Sequence, residues 1–289
     1  MAMEHPFDGG VPNRGAEPAE PRHAATVMLL CADGGPSGAG REEMRVLLLR
    51  RARSMSFAPG AYVFPGGRVD ERDTDLGSPR EDSAPAWWAG PHPSLWAARL
   101  GVPVPLGRAL VCAAVRETFE ETGVLLAGSS AAEVVADTRG EDWEADRRSL
   151  IDRSLSFAAF LNRRGLVLRS DLLRAWAQWI TPRAEPRRYD TRFFAAVLPE
   201  GQQTREVDGE ADEADLATWM RPADAVQGWR RGELVMLPPT VATCKELAAC
   251  GSLESVMAAE REIVPIEPEL REVDGQLQII VPDGVDYPL

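Results

Sequence analysis

In the run RETFEETG, Glu117, Glu120 and Glu121 stand at positions i, i+3 and i+4. On a helix this spacing puts three carboxylates on one face within about a turn. Like charges that close destabilise a helix by about 0.2–0.5 kcal/mol per pair and raise carboxylate pKa values unless a cation intervenes. A divalent cation is the economical remedy. Mg2+ favours carboxylate oxygens, water and substrate phosphates together, and a second cation could clamp both sides of a phosphoryl transfer. Arg116 is i, i+4 to Glu120 and is placed to hold one carboxylate. By itself the run also fits a solvated helix face with one Arg–Glu pair.

A second stretch, AYVFPGGRVDERD from Ala61 to Asp73, runs from an apolar strand pattern into two adjacent glycines and then into acids. Glycine weakens a strand unless the backbone must turn sharply or approach something closely. Gly66 and Gly67 therefore mark either an ordinary turn after a strand or a close approach of backbone to a ligand. Asp70, Glu71 and Asp73 read as a solvated loop, the alternative being acids that bind water around a cation.

The elements that must position these residues are readable from pattern. AATVMLL (24–30) and MRVLLLRRA (44–52) are apolar runs of strand length, separated by a turn-rich loop. Prolines and glycines in 74–94 exclude a long element, and LWAARLG fits a short helix. The run from Arg108 to Thr122 lacks Gly and Pro and is followed by Gly123, which predicts a helix with Leu110, Ala114, Val115, Thr118 and Phe119 on one packed side. Residues 141–180 read mainly as helix, with Leu172, Leu173, Trp176 and Ile180 at helical spacing and Thr181-Pro182 closing the run. DTRFFAAVLP and DLATWM read as strands, 223–229 and PTVATCKELAAC as helices, and EIVPIEPEL and GQLQIIVP as extended segments. Strands and helices in irregular order predict an α/β or α+β sandwich.

Composition narrows the function classes. The chain has 289 residues, 44% of them hydrophobic, enough for a sizeable core. Its formal net charge of −13 would repel a nucleic-acid polymer, while leaving room for a small anionic substrate held through cations. Cys31, Cys112, Cys244 and Cys250 form no C-x-x-C pair, which argues against zinc or a disulfide framework and predicts small core residues in a reducing cytoplasm. There is no signal-like h-region and no apolar run of about 18 residues, so no membrane partner is expected. Residues 1–22 are rich in Pro, Gly and Glu and read as a flexible arm.

The two stretches together resemble the Nudix hydrolases, whose signature is G-x5-E-x7-R-E-U-x-E-E-x-G-U, with U a bulky aliphatic residue. RETFEETGV matches the second half at every fixed charge and at the glycine, with Thr118 in an aliphatic position. Gly67 followed by Asp73 fits G-x5-E with aspartate for glutamate. Forty-eight residues separate Gly67 from Arg116 where the signature has thirteen. Such a split box, with VFPGG before the excursion, looks like the branch related to peroxisomal coenzyme A diphosphatases. WITPRAEPRRYDTRFF and LPPT also resemble that branch, so the similarity covers roughly residues 24–250.

The resemblance implies an α/β/α Nudix sandwich with a mixed sheet, forming a single domain over 23–289 with helical insertions at about 74–107 and 128–182. It implies Mg2+- or Mn2+-dependent hydrolysis of a diphosphate linkage in a nucleoside diphosphate derivative, foremost coenzyme A or acyl-coenzyme A. ADP-ribose, NADH or another nucleotide conjugate is the alternative substrate, and a non-catalytic nucleotide sensor is an alternative of another class, as is a protein-interaction role for the insertions. The carbonyl of Gly66 together with Glu120 and Glu121 would hold metal. Glu117 would be either a further ligand or the base that activates water, Glu121 also counts as catalytic, and Arg116 would orient the acids. A small-molecule nucleotide is then the partner, and a homodimer is the expectation from the fold.

Other residues have two readings each. Glu213 sits where many Nudix enzymes carry one more acid, though its whole segment is acidic. Arg183, Arg187, Arg188 and Arg192 are solvated arginines or receive extra substrate phosphates. Trp87, Trp88 and Trp96 are expected to be buried rather than to stack on a base. His5, His23 and His92 lie in expected loops, and no histidine mechanism follows.

Overall fold

The computed structural model describes residues 17–33, 43–55, 58–73, 84–207, 213–273 and 276–282. Residues 1–16 of the arm expected over 1–22, including His5, and residues 34–42 lie outside them. Its centre is a mixed sheet built on two long apolar strands, β1 (Arg22–Asp33) and β2 (Glu43–Arg51). Two short strands follow, β3 (Tyr62–Val63) and β4 (Gly66–Arg68). Then come β5 (Trp88–Ala89), α1 (Pro93–Leu100), α2 (Val104–Thr122), β6 (Ala127–Gly128), α3 (Glu141–Ile151), α4 (Phe157–Arg164) and β7 (Val167–Arg169). The chain re-enters the main sheet as β8 (Arg174–Ile180), β9 (Tyr189–Val197) and β10 (Ala214–Met220), and continues through α5 (Pro222–Arg230), α6 (Pro238–Cys250) and α7 (Leu253–Ala258). β11 (Pro265–Ile266) adds to the sheet edge, and β12 (Glu269–Val273) pairs with β13 (Gln276–Ile280) as a separate hairpin.

The sheet runs β10-β2-β1-β9-β8-β11, with β1 parallel to β9, β8 parallel to β11 and the other neighbours antiparallel. Alternating residues supply its two faces. Val27, Leu29, Leu47, Leu49, Phe194 and Ala196 pack toward α2, whereas Met28, Leu30, Val46, Leu48, Phe193 and Ala195 pack toward α5, α6 and α7. Helices thus cover both faces, the arrangement that lets central strands be apolar throughout.

β1 and β2 pair directly over Leu30–Asp33 and Glu43–Val46, then diverge. The segment 62–68 fills the gap, first as β3 on β2 and then as β4 on β1, with Gly66 opposite Thr26 and Gly67 opposite Ala25. The double glycine therefore sits at a split in the sheet.

The segment SDLLRAWAQWI differs from the helical reading. The helices of the 141–180 region are α3, α4 and a single 3-10 turn at Ser170–Leu172, and Arg174–Ile180 is a strand between β9 and β11. Ala175, Trp176, Ala177, Gln178 and Trp179 are all buried, because both faces of this strand are covered. A strand covered on both faces shows no apolar–polar alternation, so a chance i, i+4 spacing imitates a helix. α2 also begins four residues earlier than expected, at Val104, with proline in its first turn.

The two excursions from the main sheet are joined. β5, from the first, and β6, from the second, flank β7 in a three-stranded sheet of their own. α3 and α4 close over α2 through aromatic contacts, with Phe119 stacked on Phe160 at 5.3 Å and Trp143 edge-on to Phe119 at 6.2 Å. Among the described residues no single helix is long and apolar enough to cross a membrane; α1 and α2 pass that test as a pair but are bent by 94°.

Candidate active site

α2 carries the acidic trio. Fourteen of its nineteen residues are buried, so it is a core helix, and past its first turn only Glu117 and Glu121 are partly exposed. Gly123 takes φ +76° and its N–H donates to the Phe119 carbonyl, ending the helix. Ending at Gly123, the helix sets Glu117, Glu120 and Glu121 toward the negative end of its dipole, where carboxylates are disfavoured, and its last turn holds no basic residue.

The double glycine meets this trio. The Gly66 N–H donates to Glu121 Oε2 at 2.9 Å. A Cβ on Gly67 would stand 2.5–2.6 Å from the Glu117 carboxyl atoms, and one on Gly66 would stand 2.5 Å from the Ala25 carbonyl oxygen. Both positions exclude a side chain because carboxylate and backbone occupy its space.

Arg116 is 5% exposed and contacts three carboxylates. Its Nε and Nη2 donate to the two oxygens of Asp73 at 2.9 and 2.8 Å, Nη1 donates to Glu117 Oε1 at 2.7 Å and to both oxygens of Glu120 at 3.2 Å. Nη2 also donates to the Arg68 carbonyl at 2.9 Å, tying the helix to the strand that bears the glycines. Burial alone would lower the guanidinium's pKa; the Asp73 hydrogen bonds and the charges of Glu117, Asp73 and Glu120 outweigh it and hold the group charged.

The carboxylates are under-compensated. Burial pushes Glu117 up to about 7 despite Arg116, with Glu120 adding repulsion. Burial also raises Glu120, against the pull of Arg116. Glu121 is raised well above the ordinary carboxylate range, first by burial and then by Glu117, against the Gly66 N–H; Glu213 adds repulsion and Arg51 offsets some of it. These groups line a cleft of about 1230 Å³, with room for a nucleotide and an attached arm.

A family model described as the NUDT19 Nudix domain matches residues 21–247. The chain belongs to this Nudix family. It is similar to the acyl-coenzyme A diphosphatase NUDT19 of Gallus gallus, at 28% identity over 92% of this chain and 80% of that one. The Homo sapiens protein of the same name is 28% identical over 83% of this chain and 72% of its own length. Among solved structures, a Nudix hydrolase from Alicyclobacillus acidocaldarius superposes with a TM-score of 0.66 and 28% identity, over 84% of this chain and 98% of that one. The α/β Nudix fold follows, and the chain is a Nudix hydrolase.

Nudix hydrolases generally work with divalent cations, and the residues at this site suit one chemically. The donors are hard oxygens, they carry excess buried negative charge, and they stand at the unfavourable end of a helix dipole. Among the described residues no three acid, His or Cys side chains are already gathered around one cation position.

The remaining candidates distribute unevenly. Asp73 is not part of a solvated loop: it is 1% exposed and paired with Arg116. Asp70 is half-buried against Arg72, and Glu71 is exposed at the cleft. Glu213 lines the cleft close enough for its charge to act on Glu121. In the arginine group, Arg187 and Arg188 line the cleft, but Arg188 is buried and donates to Thr181 O, Ala19 O and Glu267. Arg192 is buried beside Asp190, and Arg183 is exposed beside Glu267. Neither lines the cleft. Trp87, Trp88 and Trp96 are buried as expected. Cys112 and Cys244 are core residues, while Cys31 and Cys250 are half-buried. His23 lies on β1 near Asp190, and His92 caps α1.

Thr118 answers for its departure from the signature: it is fully buried, and its hydroxyl donates to the Ala114 carbonyl one turn back at 2.8 Å. The side chain then packs like valine. Sequence reasoning missed Arg147, which lines the cleft and donates to the Glu120 carbonyl at 2.5 Å while its other nitrogens hold Glu144. It also missed Arg72 and Arg153. The contacts that join these two to each other's segment, Arg72 to Leu155 and Arg153 to Asp70, span the chain distance between two loops, and local spacing carries no signal for them.

Proposed function

We propose that this Nudix hydrolase cleaves the diphosphate linkage of coenzyme A or an acyl-coenzyme A, as one domain over 23–289 with the excursions at about 74–107 and 128–182 as insertions. The names of the chicken and human relatives support the substrate class. The observation that carries the chemistry is the closure of Gly66 and Gly67 onto Glu117 and Glu121.

In this reading Glu120, Glu121 and the Gly66 carbonyl hold Mg2+ or Mn2+. Glu117 is a further ligand or takes the proton from the attacking water. Arg116, fixed by Asp73, orients Glu117 and Glu120. A bound divalent cation lowers the pKa of water and neutralises charge developing on the phosphoryl oxygens. The cleft beside the glycines and the acids has space for a diphosphate.

The test is hydrolysis of coenzyme A, acyl-coenzyme A, ADP-ribose, NADH and dinucleoside polyphosphates with Mg2+ and with Mn2+, products being identified by mass. Preferential cleavage of the coenzyme A compounds to a 4′-phosphopantetheine product is expected. Equal slow cleavage of every compound refutes the assignment.

A further inference from the structure

The turn that follows α3 sets an arginine in a backbone state usually given to glycine. Arg153 has φ +66°, in the left-handed region where a Cβ meets steric resistance. Its side chain lines the cleft and is 62% exposed. A strained residue at the mouth of a functional cleft points to a role for its side chain.

The turn is held in place. The Arg153 N–H donates to the Leu150 carbonyl at 3.1 Å and the Leu155 N–H to Ser149 at 2.9 Å. From the loop after the double glycine, Arg72 Nη1 donates to the Leu155 carbonyl at 3.2 Å. Among the described residues the ion-pair partner of Arg153 is Asp70, at 3.6 Å. Asp70 is already served by Arg72, whose backbone N–H and Nε donate to Oδ1 at 3.0 and 3.1 Å and whose Nη2 donates to Oδ2 at 3.1 Å. Asp70 therefore steers the Arg153 guanidinium without using up its five donors.

We propose that Arg153 determines specificity by binding a phosphate monoester on the nucleoside end of the substrate, apart from the scissile diphosphate. The planar fork of arginine matches phosphate oxygens two at a time. This assignment rests on the coenzyme A reading, whose substrates carry such a ribose phosphate. The turn after α3, rather than the Nudix box, then supplies the discrimination.

The experiment compares the full-length protein with Arg153→Gly and Arg153→Lys. Calorimetry without added metal measures binding of adenosine 3′,5′-bisphosphate against AMP, and kinetics measure kcat/KM for coenzyme A against its 3′-dephospho form. The wild type is expected to favour the 3′-phosphorylated member of each pair by about tenfold. Arg153→Gly brings both ratios near one while its Tm equals or exceeds that of the wild type, since glycine relieves the turn. Arg153→Lys falls between. A wild type without preference, or Arg153→Gly with the wild-type preference, overturns the assignment. If neither coenzyme is hydrolysed, the coenzyme A reading fails, and the nucleotide binding ratios still decide for or against Arg153.

Discussion

Asp73 and Arg116 lie 43 residues apart and meet edge to edge, with two parallel hydrogen bonds of 2.9 and 2.8 Å between groups that are almost wholly buried. The pair fastens the loop after the double glycine to the acidic helix, so the two halves of the split box are held by a bond that skips the intervening excursion.

Removing one partner strands the other charge. Asp73→Ala is expected to destabilise the fold by about 3 kcal/mol, read from urea unfolding, and to lower turnover because Arg116 loses its anchor. Asp73→Glu, which restores the acid of the Nudix signature, should retain more stability and activity than Asp73→Ala. Equal loss in both variants would show that the carboxylate itself is not what matters.

The two glycines should fail differently. Gly67→Ala places a methyl against the Glu117 carboxyl and is expected to cut turnover by about 10²-fold, with a smaller effect on unfolding. Gly66→Ala collides with the β1 backbone at Ala25 and Thr26, and should lower the unfolding midpoint as well. Paired denaturation and rate measurements separate the two.

Glu121→Gln keeps an oxygen for the Gly66 N–H and should stay folded, yet lose about 10²-fold or more in kcat. Glu120→Gln should do likewise. Undiminished rates in both would remove these acids from the reaction.

Acid stability should carry the mark of Asp70. Its hydrogen bonds with Arg72, outweighing burial, hold the carboxyl at about 2 rather than the usual 3.8. A carboxyl depressed in the folded state adds stability above its unfolded pKa, and the gain disappears as pH falls from about 4 toward 2. Urea midpoints measured across that range should drop more steeply for the wild type than for Asp70→Asn.

Addition of a chelator is expected to stop hydrolysis, and Mg2+ or Mn2+ to restore it. Far-ultraviolet circular dichroism should change little, because the core on both faces of the sheet is apolar.

The acidic helix could be read from sequence because RETFEETG holds its information within two turns, where spacing alone fixes which side chains share a face. The apolar runs 24–30 and 44–52 were equally plain, and the strands they mark extend over Arg22–Asp33 and Glu43–Arg51. Asp73 was harder. Four polar residues in DERD look solvated, and only the distant Arg116 explains why one of them is buried. Trp176 and Ile180 misled for the opposite reason: in a strand covered on both faces apolar residues fall on both sides, so no period of two survives to separate strand from helix. Arg147 and Arg153 reach the cleft only because α3 folds back over α2, a contact that no local pattern encodes.

The small sheet β5-β7-β6 has a practical meaning for anyone reshaping this chain. Its strands come from segments on either side of α2, and each leaves backbone N–H and C=O groups without partners if the other is trimmed away. The excursions behave as a clasp whose two leaves must be transplanted, shortened or deleted together.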